Sequence, residues 1–224
     1  MLARFVESNG LDPTADPTRQ RKKSRVEKEN NRHAQPSRIM EKISLSKPIE
    51  DRTRPICYFE IVIAVNYRKL GNLIFQLFDN VVPKTCQNFI SFCRGFNGLS
   101  YQGTPFHRIV PGYWCQGGDV QKFNGSGETS IYGDTFEDES FELKHSERGI
   151  LSTCGFEKDS NCSKFNLTFK PLESVDGKRV VFGKVIEGLA TLKEIERYGS
   201  IAGKPTMKII VSKCGVLEND ELEN

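Results

Sequence analysis

At Pro55 the sequence changes character abruptly, and that break decides which part of the chain can fold. Residues 1–54 hold one aromatic, Phe5, and carry 13 Lys and Arg against 8 Asp and Glu. So polar a stretch buries too little surface to offset the entropy of ordering it, so a disordered basic arm is expected. Within it, Arg19–Arg25 is a basic cluster of the kind read as a nuclear address or a nucleic-acid contact, a solvated tail being the simpler reading. Arg38–Leu45 has the spacing of a short helix, or of a segment that docks on the domain. From residue 55 onward there are 19 basic and 21 acidic residues, so the overall charge of +3 averages a basic arm with a nearly neutral body. A nucleic-acid function for the whole protein does not follow from such a balance.

Beyond the break, Cys57–Val65 is rich in β-branched and aromatic residues and reads as a strand. A turn at Leu70–Asn72 leads to a second strand, Leu73–Phe78. Pro83 opens a helix, where its missing N–H is harmless; Cys86, Phe89, Ile90 and Cys93 follow at helical spacing and Gly95 ends it. Further strands are expected at Phe106–Ile109, Ile150–Ser152, Phe165–Phe169, Val180–Val185 and Met207–Lys213. A second helix is expected over Leu189–Arg197, apolar at 189, 192 and 195. Many short strands with two helices point to a closed or sandwiched β architecture. No apolar run is long enough for a membrane helix, and charges interrupt the N-terminus too early for a secretory signal. Seven cysteines, an odd number without scaffold spacing, favour a reducing compartment, cytosol or nucleus.

Several motifs in this region occur in a fixed order. Val82–Phe89 is followed by Phe106-His107-Arg108-Ile109-Val110-Pro111-Gly112-Tyr113 and by Cys115-Gln116-Gly117-Gly118-Asp119. Then come Asn124–Gly127, Ser130–Gly133, Phe136–Glu139, Lys144-His145, Val180–Val185 and Glu187-Gly188. In this collinear series of about 160 residues the chain resembles the cyclophilin-type peptidyl-prolyl isomerases. The resemblance implies a mainly β domain over 55–217, a closed antiparallel β-barrel capped by two α-helices, with the arm 1–54 before it and a short acidic tail, 218–224, after it. It also implies cis–trans isomerisation of X-Pro bonds without metal or organic cofactor.

An X-Pro bond turns over slowly because rotation breaks amide resonance against a barrier of roughly 18–20 kcal/mol. A catalyst needs neither nucleophile nor proton transfer; it must bind the twisted amide better than the planar one. A fixed cation suits that task, since the twisted nitrogen becomes a better acceptor, and the resemblance assigns it to Arg108. By the same carry-over Gln116 hydrogen-bonds substrate backbone, with Tyr113 and Trp114 on the proline slot in place of a phenylalanine and a methionine. The opposite wall is rewritten. Cys154 and Gly155 stand where the family has Ala-Asn, the glycine being conformationally looser than the asparagine, and Lys164 replaces a glutamine. Asn166 replaces the phenylalanine of the pocket floor, where its amide must stay hydrogen-bonded or wet; Ser174-Val175 replaces Trp-Leu, and Arg179 replaces a histidine. Loss of the phenylalanine and the arrival of two cations argue for isomerase activity reduced by orders of magnitude.

Two functional classes follow. One is a cyclophilin-type isomerase of weakened activity; the other is a non-catalytic module that binds proline-containing, even acidic, protein segments or serves as a scaffold. The basic, aromatic composition of the altered wall fits an acidic or phosphorylated partner. Cyclosporin binding is expected to be weak, because Ser174 cannot supply an indole. A metal at Cys154, Cys162 or Cys115 lacks a fourth ligand, and the domain is expected to be monomeric.

Overall fold

The structure, a computed structural model, describes residues 53–155 and 157–217. The basic cluster at 19–25, the segment 38–45 and the tail 218–224 lie outside the described residues. β1 (Ile56–Ile63) pairs antiparallel with β2 (Arg68–Leu77) on one side and with β8 (Ile209–Leu217) on the other. That position suits its nearly continuous apolar run. Cys57, Phe59, Ile61 and Ile63 point into the core, while Ile56 and Val62 are buried on the opposite face. The remaining strands are β3 (Arg108–Val110), β4 (Trp114–Gly117), β5 (Ile150–Thr153), β6 (Phe165–Thr168) and β7 (Val181–Glu187). All pairings are antiparallel, in the order β3-β4-β6-β5-β7-β2-β1-β8.

The two ends of this sheet meet. Gly103 and Phe106 donate N–H bonds to the carbonyls of Val211 and Ile209, at 2.7 and 3.0 Å, and Val211 donates to Thr104 at 3.0 Å. The segment just before β3 thus lies against β8, which closes the barrel and removes the free edges. The strand expected at Phe106–Ile109 is shifted to 108–110 because the Phe106 amide serves β8. β4 was not anticipated, since Gly117 and Gly118 interrupt its apolar pattern. Within the barrel, Phe59, Phe75, Phe89, Tyr101 and Phe165 stack edge to face or tilted, with centroids 5.0–5.9 Å apart. Phe89 comes from α1 (Pro83–Arg94), which begins at its proline, ends at Gly95 and buries Cys86, Phe89, Ile90 and Cys93 as its spacing requires. In α2 (Leu189–Arg197) the expected stripe is only partly used: Leu192 and Ile195 are buried, but Leu189 at the first turn is exposed.

Candidate active site

Register explains why the site lies outside the barrel. Ile109, Cys115, Leu167 and Leu151 are cross-strand neighbours on β3, β4, β6 and β5, and all four belong to the core. The alternate row, Arg108, Gln116, Asn166 and Ser152, therefore shares the face turned away from the core. Lys164, two residues before Asn166, and Cys154, two after Ser152, continue that face by the same period. Residues far apart in sequence are thereby set side by side.

On this face opens a cleft of about 480 Å³. Arg108 and Gln116 form one wall, and Cys154 with Lys164 another. Asn124-Gly125-Ser126 and Ala202-Gly203-Lys204 contribute two loops, and His107 lies beneath. Arg108 is exposed, and its Nη1 donates to the Ala202 carbonyl at 3.4 Å. Its guanidinium lies against Gly203, where a Cβ would fall 2.9 Å from Cζ and where φ is +84°. Only glycine combines that backbone with so close an approach. The Ile109 amide, bonded to the Gly203 carbonyl at 2.8 Å, fixes this loop to β3.

Gln116 is buried, and its Nε2 donates to Asn166 Oδ1 at 2.9 Å and to Cys154 Sγ at 3.1 Å. Asn166 in turn donates from Nδ2 to the Thr153 carbonyl at 2.6 Å and is fully buried. The asparagine is thus not a wet floor to an open slot: both ends of its amide are satisfied inside the protein. Gly155, expected to be looser than the family's asparagine, is closely packed. A Cβ there would meet Ser160 Oγ at 2.5 Å and its carbonyl oxygen at 2.6 Å. Burial pushes the Cys154 thiol up to about 12, only partly offset by Lys164, Arg179 and Arg108, so it stays protonated and unreactive.

Lys164 is buried and donates from Nζ to the Gly125 carbonyl at 3.0 Å. The N–H of the same glycine donates to Asp119 Oδ2 at 2.7 Å. Asp119 also accepts from the amides of Gln121, Lys122, Asn124 and Gly127. Burial would raise this carboxyl, but the backbone donors of Lys122, Gly127, Gly125 and Asn124 outweigh it and hold it at about 2. His107 packs on Gly125, and its Nδ1 is buried without a hydrogen-bond partner. Burial drives it down to about 4 against the pull of Asp119, with Lys164 and Arg108 adding to the depression, so it is neutral near pH 7.

Among the sequence-derived site residues, the cleft brings together Arg108, Gln116, Cys154 and Lys164. Tyr113 and Trp114 lie beside it, half-buried, with ring centroids 4.6 Å apart. Val175 is buried in a 3-10 turn, Glu173–Val175, and Ser174 is exposed there. Arg179 is half-buried, with Nη1 bonded to the Lys178 carbonyl at 3.2 Å. None of these five lines the cleft, nor do Gly155 and Asn166. One positioning residue escapes a reading of the sequence. Glu196 on α2 accepts the Gly112 amide at 2.8 Å and pairs with Arg148 at 2.8 Å, bracing the turn that carries Tyr113. The loop at 202–204 likewise reaches the cleft only through the long-range bond to β3.

A closed antiparallel barrel, two helices and an outer cleft bordered by a guanidinium agree with the family that the Phe-His-Arg segment resembles. Residues 61–216 match the family model described as "Cyclophilin type peptidyl-prolyl cis-trans isomerase/CLD". The chain belongs to that family. It is also 40% identical over 173 residues to "E3 SUMO-protein ligase RanBP2" of Homo sapiens, and equally so to that of Pan troglodytes. The alignment covers 77% of this chain and 5% of either relative, so the chain spans only a small part of their length.

Proposed function

We propose that this protein acts on X-Pro bonds of protein segments as a cyclophilin-type isomerase whose turnover of ordinary substrates is reduced by orders of magnitude. Arg108 is the catalytic residue of this reading. Its permanent charge meets the lone pair that localises on the prolyl nitrogen as the amide twists, and no covalent step is needed. One observation carries the reduction: Gln116, the cross-strand partner of Arg108, gives the N–H donors of its amide to Asn166 and Cys154, so those donors are not free to hold substrate backbone. Each transition-state interaction of about 1.4 kcal/mol that is lost lowers the rate about tenfold.

Exchange spectroscopy on an X-Pro tetrapeptide tests this reading. Slow but measurable turnover, abolished in Arg108→Ala, is expected; near-normal turnover overturns it. The second reading, a module that binds proline-containing segments without catalysis, is favoured by the same committed Gln116 and corresponds to saturable binding with no exchange. Tyr113, Trp114, Val175 and Arg179 are proposed to border the bound proline. Cyclosporin affinity is expected to be poor, since Ser174 offers neither an indole face nor its N–H. We place the protein in the cytosol or nucleus, on the strength of its odd number of cysteines.

A further inference from the structure

The cleft is lined by three basic side chains, Arg108, Lys164 and Lys204, and by no carboxylate among the described residues. Their charges are lightly used. Among the described residues Lys164 gives one donor to the Gly125 carbonyl, Arg108 makes one long bond to Ala202, and Lys204 is bonded through its backbone carbonyl, with no hydrogen bond from its amine. Lysine is rarely so buried without a paired acid, because desolvating an ammonium is expensive. The nearest acid, Asp119, cannot serve as that pair. Its oxygens are taken by five backbone amides, and Gly125 stands between it and Lys164, its N–H toward the acid and its C=O toward the amine. Two of the three ammonium donors of Lys164 thus remain for something else, in a wall that also offers the polar Ser126 and Asn124.

We infer that this cleft is an anion subsite, which selects peptides carrying an anionic side chain, a carboxylate or a phosphate, close to the proline. The inference rests on the proposed binding of X-Pro segments and adds the chemistry by which such segments are chosen. Arg108 supplies a planar fork, Lys164 a recessed point charge and Lys204 an exposed one, so an oxyanion entering the cleft meets cations on more than one side. The same arrangement disfavours basic segments.

The test uses the full chain and matched short peptides with one Ala-Pro bond, identical except for Gln, Glu or phosphoserine just before that alanine, titrated by calorimetry. The glutamate and phosphoserine peptides are expected to bind about tenfold or more tighter than the glutamine peptide at low salt, as charge-assisted bonds imply. The advantage is expected to shrink as added salt shortens the screening length. Lys164→Gln removes most of it, and Lys204→Gln, at an exposed position that leaves folding intact, reduces it severalfold. Lys193→Gln on α2, away from the cleft, leaves it unchanged. A larger gain for phosphoserine than for glutamate assigns the subsite to phosphate; equal gains assign it to carboxylates and phosphates alike. If the glutamine peptide binds as tightly as the other two, or Lys204→Gln and Lys164→Gln both keep the preference, the anion subsite is refuted while proline binding stands. If no peptide binds, proline binding itself fails. A single-stranded oligonucleotide displacing the glutamate peptide at equal concentration refutes the assignment to peptides.

Discussion

Replacing Asn166 with leucine removes an amide whose two ends are both engaged, to Gln116 Nε2 at 2.9 Å and to the Thr153 carbonyl at 2.6 Å. The leucine is of similar size and suits a fully buried site, so the cost is chiefly polar. One buried Gln116 N–H loses its acceptor, worth about 1–3 kcal/mol, and the Thr153 carbonyl loses a donor, worth about 1 kcal/mol. Gln116→Leu alone leaves Asn166 Oδ1 without a donor and costs about 1–3 kcal/mol by the same reasoning. In the double variant neither orphan exists, so its cost falls below the sum of the singles by about 2 kcal/mol or more. Urea unfolding at pH 7, read by fluorescence of the one tryptophan, Trp114, gives all four stabilities. Additive costs within about 0.5 kcal/mol would refute the network, and with it the claim that the amide donors of Gln116 are held away from substrate.

Gly155→Asn forces a side chain into the space of Ser160 and is expected to cost about 1–3 kcal/mol. Gly155→Asn/Ser160→Gly should recover only a minor part of that loss in thermal unfolding, because the Ser160 carbonyl oxygen, 2.6 Å from the added Cβ, stays in place. Acid provides a third prediction. His107 titrates near 6.5 when unfolded and near 4 when folded, so the unfolded chain binds more protons between those values. Stability therefore rises with pH through that window, and it falls on acidification by about 2 kcal/mol once the shift is discounted for partial exposure. His145, also lowered chiefly by burial, acts in the same direction. Asp119, lowered from 3.8 to about 2, holds its contribution until pH drops below about 4. His107→Gln is expected to flatten the change in unfolding midpoint between pH 7 and pH 4.5; an unchanged slope would show that His107 is not the source.

How much of this could be read beforehand differs between barrel and site. The strand at 57–65, the helix from Pro83 and the order of motifs follow from local pattern, because period and punctuation lie within each segment. Arg108 and Gln116 lie within one short motif and fall together in the cleft for the same reason. Asn166 is different. Its chemistry depends on the register that sets it across from both Gln116 and Ser152, and nothing local states that register. Gly155 reads as freedom in sequence and as close packing in space, since Ser160 folds back onto it through a turn. Lys164 reads in the sequence as a cation near the pocket; that its amine meets the carbonyl of Gly125 while the N–H of the same residue meets Asp119 depends on the loop at 121–127.

The closure of the barrel also governs when the cleft can exist. Arg108 stands on β3, and the segment leading into β3 is held by Ile209 and Val211 of the last strand. β1, the first strand, likewise lies between β2 and β8. During vectorial synthesis the first strand must wait, one side unsatisfied, until about 150 further residues have emerged, as expected for folds dominated by non-local pairing. A nascent chain therefore displays the guanidinium long before it has a wall to work against. Cleft and barrel arrive together, after translation of β8, and a truncation that trims that strand removes the site without touching a residue in it.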